Sequence, residues 1–170
     1  MRLYSGKIPA VANEIIRTLQ AAGDIEVGDG NEAQLDVEAV LKEYLRMERD
    51  VTDKTKDLLE SRGLPYDQFG KIKRAVAEER GFGLGDESLG WICNQVLETF
   101  MQSAHVDEIF ADDAVMRKKM RDILKKHMQI DDVLDEEVRR RIKNLQEGTA
   151  TWEVEYQKVL EQLKRNRGIE

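Results

Sequence analysis

Ten residues concentrate the charge of this sequence: "RKKMRDILKK", Arg117–Lys126, holds six basic residues and one acid, Asp122. Cations at this density offer electrostatic chemistry, the neutralisation of phosphates and release of their counterions. On a helix, Met116, Met120, Ile123 and Leu124 share one face, and Lys118, Arg121 and Lys125 share the outer one at spacings of three and four. Arg117, Lys118, Arg121 and Lys125 are therefore the candidate contacts to phosphate or RNA. "RRRIK" (Arg139–Lys143) and "KRNR" (Lys164–Arg167) would extend that surface if their helices lie alongside. The competing reading is a solvated face whose cations pair with nearby acids, the usual fate of a charge run. No aromatic residue interleaves the run, so base stacking gains no support.

Other reactive residue types are weaker candidates. "HVDEIFADD" gathers His105, Asp107, Glu108, Asp112 and Asp113, an imidazole and carboxylates of the kind that hold a divalent metal. Its spacing matches no defined calcium loop, and acids just before a helix also serve its N-terminus. "DIEVGDGNE" fails as a calcium loop because Val27 and Gly28 occupy ligand positions. "GFGLGDE" (Gly81–Glu87) has neither the preceding strand nor the following Lys–Ser/Thr of a phosphate loop, and reads as a turn between helices. Cys93, the single cysteine, falls on an apolar helix face, so it reads as a core residue and excludes an intrachain disulfide. His105 and His127 have no serine or cysteine at matching spacing, although a triad assembles in space rather than in sequence.

The elements that must position these residues follow from composition and period. Of the 170 residues, 36% are charged, against about 25% in an average globular protein, and only two are proline. Charges interleaved at helical spacing predict an all-α chain. The net charge of −7 is spread evenly over both halves, which argues against generic attraction to polyanions. No apolar run approaches the ~20 residues of a membrane span, and "MRLYSGKIPAVAN" has no signal-peptide core, so the expected compartment is the cytoplasm with no membrane partner.

The first helix is expected from about Ile8 to Ala22, with Pro9 in its first turn and Gly23 ending it. Ile25 and Val27 would pin a short extended piece. Asn31 with Gln34 resembles a capping box, opening a long helix to about Ser61 whose seam is weakened by Glu48 and Thr55. "RGLPYDQFG" breaks the chain before a short helix carrying Phe69, Ile72 and Val76 inward. Asp86 would cap the next helix, to about Ser103. After "HVDEIFADD" a helix begins near Asp113; from Ile130 it continues or restarts with Asp131 or Asp132 as cap, stopping at Gly148. Thr149 or Thr151 opens the last helix, with Trp152, Tyr156, Val159, Leu160 and Leu163 as its stripe.

The pattern repeats. Aligning Asn13 with Asn94 pairs Ile15 with Val96, Ile16 with Leu97, Leu19 with Phe100 and Ile25 with Val106. "VLKEYL" from Val40 then matches "ILKKHM" from Ile123, with Val51 on Leu134 and Leu59 on Ile142. This predicts two pseudo-repeated helical units packed as an elongated bundle. The first spans 1–62 and the second, with an extra C-terminal helix, 86–170; a linker with a short helix, 63–85, joins them.

"IKRAVAEERGFGL" (Ile72–Leu84) and "IKNLQEGTATWEVEYQKVLEQLKR" (Ile142–Arg165) resemble the central and C-terminal signatures of the DUF507 family. The repeated order of short helix, acidic loop and long helix resembles that family along nearly the whole chain. The resemblance implies a small bacterial protein of unassigned function, and it carries no catalytic residue onto this sequence. One departure concerns "NLQEGTATWE", which is less basic than the family's usual stretch before the last helix. If that stretch contacts a phosphate elsewhere in the family, the contact is lost here.

These readings converge on a non-enzymatic helical interaction or scaffold protein, with no cofactor and no metal. Its partner surface would use apolar residues left over by the stripes, with Met47, Phe110, Trp152 and Tyr156 as candidates. For Trp152 and Tyr156, i and i+4 on one helix, core packing is the default. The alternative is an RNA- or ribosome-associated factor using the basic helix face. A homodimer closing an exposed stripe and a metal-dependent enzyme at His105–Asp113 are the further readings.

Overall fold

The computed structural model describes residues 3–167, without the side chains of residues 129–132. Its elements in chain order are α1 (Ile8–Ala21), β1 (Ile25–Val27), α2 (Gly30–Arg62), α3 (Phe69–Glu79), α4 (Glu87–Gln102), β2 (Val106–Ile109), α5 (Asp113–Arg141) and α6 (Ala150–Asn166). The chain is predominantly helical. This bears out the helical expectation, to which "HVDEIFADD" adds a short strand. β2 pairs antiparallel with β1, setting Ile25 opposite Ile109, Glu26 opposite Glu108 and Val27 opposite Val106. A strand of four residues surrounded by acids is too short to display a period of two.

The amphipathic stripes explain the helices. In α1, Ile8, Val11, Ala12, Ile15, Ile16 and Leu19 are all buried, and Gly23 leaves the helix at φ +74°. α2 runs 33 residues, about 50 Å at 1.5 Å per residue. Its cap is Asp29, whose Oδ1 accepts from the Asn31 and Glu32 N–H groups, and not the Asn31–Gln34 box. A carboxylate on extended backbone is the stronger acceptor for those groups, and Gln34 instead accepts from Asn13 Nδ2 at 2.9 Å. Thr55 is tolerated in the buried seam because its hydroxyl donates to the Val51 carbonyl at 2.7 Å.

α5 continues unbroken to Arg141; the proposed cap side chains Asp131 and Asp132 lie outside the described residues. It ends before Gly148, which sits in the following loop at φ +91°. Thr149 caps α6 by accepting from the Trp152 N–H at 3.2 Å. Asp86 precedes α4 but makes no side-chain cap bond; Ser88 Oγ donates to the Gly85 carbonyl there instead.

α1 packs on α2 and α5, α4 packs on α5 and α2, α3 on α2, and α6 on α5. The main core draws on α1 through α5 together, so residues 63–85 are folded onto the bundle through Val76, Ala77 and Phe82. A second, smaller core joins Tyr4, Leu134, Val138, Ile142, Trp152, Tyr156, Leu160 and Leu163.

Two glycines should respond oppositely to alanine. A Cβ on Gly83 would meet the Glu87 carbonyl oxygen at 2.5 Å, backbone that cannot move aside. On Gly90, inside α4, it would meet nothing within 4 Å. Gly83→Ala is expected to cost about 2 kcal/mol by overpacking, and Gly90→Ala to add roughly 1 kcal/mol through helix propensity. Thermal unfolding checks both, and equal melting temperatures for the two variants would refute the local packing described.

Candidate functional site

The basic run on α5 divides into two sets. Met116, Met120, Ile123 and Leu124 face the main core as their spacing predicts. Flanking them toward α1, Lys119 donates to Asp24 at 2.5 Å, and Lys126 donates to Glu14. Glu14 also meets His127 Nε2 at 2.5 Å. Lys118, Arg121 and Lys125 are exposed, and the described structure gives none of them an ion pair. Arg117 is half-buried, its carbonyl accepting weakly from the Cys93 thiol at 3.9 Å. Lys119 and Lys126 thus pair with acids as the competing reading expects, whereas the outer row is solvated without such pairing among the described residues.

The anticipated extensions of this surface are partly paired with acids, while Arg140 and Lys143 are exposed and have no ion pair among the described residues. Arg139 makes bonds to Asp135 at 2.9 Å and to both Glu147 oxygens at 2.9 and 3.1 Å, while its guanidinium lies 5.3 Å from the Trp152 ring centroid. Burial would favour its neutral form, but Glu147 and Asp135 outweigh that and hold it charged. Arg141 and Arg167 both bond Glu137, Arg165 reaches Glu161 at 3.9 Å, and Lys164 stands 5.0 Å over the Tyr4 ring.

Catalytic groupings are not assembled from the sequence candidates. His105 points to Glu32 at 4.0 Å, while the Ser103 hydroxyl donates to Asp36 at 2.5 Å. That serine bonds a carboxylate and its neighbouring backbone, with no imidazole to take its proton. Asp107 lies close against Gly28, its Oδ2 2.9 Å from where a Cβ on that glycine would stand. Asp112 and Asp113 are exposed at the start of α5. Among the described residues no three His, Cys, Asp or Glu side chains converge as a metal site. Burial pushes the Cys93 thiol up to about 11, against the opposing fields of Arg117 and Arg121, so it stays protonated and unreactive at neutral pH. "GFGLGDE" is a turn, with Gly81 and Gly85 in the left-handed region.

The apolar candidates separate. Trp152 and Tyr156 are buried in the second core, stacked on each other at 4.9 Å, and so are unavailable to a partner. Met47 packs half-buried against the main core. Phe110 stays 60% exposed. Sequence reasoning overlooked Met101, 64% exposed, along with Leu35 and Val115; each breaks a polar face, which was the available signal. It also overlooked Tyr66, whose hydroxyl is buried among the described residues without a partner, its pKa raised to about 12 by burial and the nearby Glu147. Two open clefts of about 310 and 300 Å³ lie beside α2 and share Glu48, Thr52 and Glu153, with lining charges of both signs.

Burial alone would raise the Glu14 carboxyl, but hydrogen bonds and charge from Lys126 and His127 prevail and hold it below its ordinary 4.5. A depressed folded pKa contributes stability above that ordinary value, lost as pH falls through the lower folded one. For this solvent-screened contact, Glu14→Gln should cost roughly 0.5–1 kcal/mol at neutral pH. The difference should vanish in strong acid. Urea titrations of both proteins at the two pH values check it; a cost that persists in acid contradicts the pairing.

Compared with curated proteins, the chain finds no match. The family described as "Protein of unknown function (DUF507)" matches residues 1–169, essentially its full length. By that match, the chain belongs to the DUF507 family.

Proposed function

We propose that this protein is a non-enzymatic helical interaction protein, a scaffold that presents one end of its bundle to another protein. The carrying observation is the placement of exposed apolar side chains. Leu35 lies near the start of α2, Met101 in the last turn of α4, Phe110 just after β2 and Val115 in the first turn of α5. All four belong to elements that meet at the β1–β2 ribbon. Two further exposed valines, Val133 on distal α5 and Val154 on α6, lie elsewhere, so four of the six large exposed apolar side chains of the described residues fall at this end. Such a grouping on a highly charged chain suits a partner surface.

The twofold order of helix, strand and long helix supports an internal duplication beneath this architecture. Ile15 and Val96, Ile16 and Leu97, Leu19 and Phe100, Val51 and Leu134, and Leu59 and Ile142 are matched by the sequence offset and buried in both members. β1 and β2, the matched extended pieces, pair with each other.

The test is a pull-down of tagged protein from its native lysate, with and without nuclease, repeated with the double variant Met101→Ser/Phe110→Ser. A nuclease-resistant complex lost in the variant is the expected result. Recovery that collapses with nuclease while the variant binds normally favours the second reading, an RNA- or ribosome-associated factor. The unpaired row Lys118, Arg121 and Lys125 supports that reading.

A further inference from the structure

We infer that the outer face of α5 is the polar half of a docking surface for an acidic amphipathic helix of a partner protein, an assignment that rests on the interaction reading above. The row has a defined geometry. Lys118, Arg121 and Lys125 rise along the helix by steps of three and four residues, about 4.5 and 6 Å, or roughly 10 Å in all. Carboxylates spaced three and four apart on a second helix repeat those rises, so the two rows can meet in register. The row is fixed as well as charged. Lys119 and Lys126 tie the same helix to Asp24 and Glu14 on the α1 side, and Met116, Met120 and Leu124 are fully buried beneath it.

Three observations favour a protein helix over a nucleic acid. Phe110 and Val115, both exposed, stand at the N-terminal end of the same helix, giving the surface an apolar end. Asp112 and Asp113 are exposed between them and end the cationic row at that side, so the row spans only Lys118 to Lys125, too short for an extended phosphate backbone. Of the cations that could have widened the row, Arg139, Arg141, Arg165 and Arg167 are paired with acids, while Arg140 and Lys143 stay exposed but 15 or more residues beyond Lys125. Lys118, Arg121 and Lys125, with the exposed Asp122 beside them, thus form a short stripe within a chain of net charge −7. A short stripe beside an apolar patch reads an amphipathic helix, whose carboxylates supply orientation and whose apolar stripe supplies burial.

Fluorescence anisotropy of the full chain with three labelled probes tests this. The probes are a synthetic helical peptide with Glu at three-and-four spacing beside a Leu stripe, its scrambled isomer, and a single-stranded RNA of matched charge. The patterned peptide should bind at least ~tenfold tighter than either control. Lys118→Glu/Arg121→Glu/Lys125→Glu should remove that preference and Phe110→Ser should weaken it. Lys54→Glu, which reverses an exposed cation on α2, should leave it unchanged. Circular dichroism confirms that each variant is folded. Equal binding of the patterned and scrambled peptides, tighter binding of RNA, or no binding of the patterned peptide overturns the proposal. So does a dimer that the triple reversal dissolves, since a second copy would then occupy the row. A nuclease-resistant lysate complex that survives the triple reversal overturns the proposal alone and leaves the interaction reading standing.

Discussion

Replacing Tyr156 with alanine is expected to lower stability by about 4 kcal/mol, the middle of the range for a buried aromatic. Tyr156 is fully buried, and it is the largest such side chain among the described residues. Its ring stacks on Trp152 at 4.9 Å, its hydroxyl lies 2.7 Å from that of Tyr4, and it also donates to Asp135. One residue thus joins α6, the distal part of α5 and the N-terminal segment. The second core has few members to close over the void, so little of the loss should be recovered by relaxation. Tyr156→Phe separates volume from polarity. It keeps the ring but leaves Asp135 and Tyr4 without that hydroxyl, at a cost of roughly 1–2 kcal/mol. Urea unfolding measures both values, and hydrogen exchange should show the Tyr156→Ala loss concentrated in α6. A cost under about 1 kcal/mol would mean that this ring is not the keystone its burial implies.

That aromatic pair also marks how far the sequence could be read. The i, i+4 spacing of Trp152 and Tyr156 placed them on one helical stripe, and of the two threonines that could open α6, Thr149 is the cap. The stripe's cover was invisible, because Tyr4 is 152 residues away and Leu134 and Val138 belong to another helix. The same limit applies to the basic run. Period alone put Lys118, Arg121 and Lys125 outside and the methionines inside, and both placements hold. It did not separate Lys119 and Lys126 from their neighbours, since their acids lie 95 and 112 residues earlier. Short elements failed for a different reason. β2 spans four residues and the Asp29 cap is a single side chain, so both are too short for a periodic pattern over longer windows to register.

Lys119 and Lys118 are neighbours in sequence, and their replacement by alanine should give opposite outcomes. The Asp24 carboxylate has little access to water, with only 10% of its side chain exposed, and Lys119 is its ion-pair partner at 2.5 Å. The same aspartate's carbonyl accepts from the Phe110 and Ala111 N–H groups at 2.8 and 3.2 Å, holding the exit of β2 against the end of α1. Removing the ammonium leaves a desolvated charge uncompensated, which in fully buried pairs costs 3–5 kcal/mol. Lys119 is itself a third exposed, so water returns part of that, and about 2 kcal/mol is expected. Adding Asp24→Asn should recover much of the loss, because a neutral amide no longer needs the cation. Lys118→Ala, on the solvent side, should change stability by no more than about 0.5 kcal/mol. A stable Lys118→Ala protein with weakened partner binding, beside a Lys119→Ala protein that loses stability first, would separate the cations that hold α5 in place from those it offers outward. Equal stability losses at the two positions would erase that division, and with it the physical basis for treating the outer row as a surface rather than part of the scaffold.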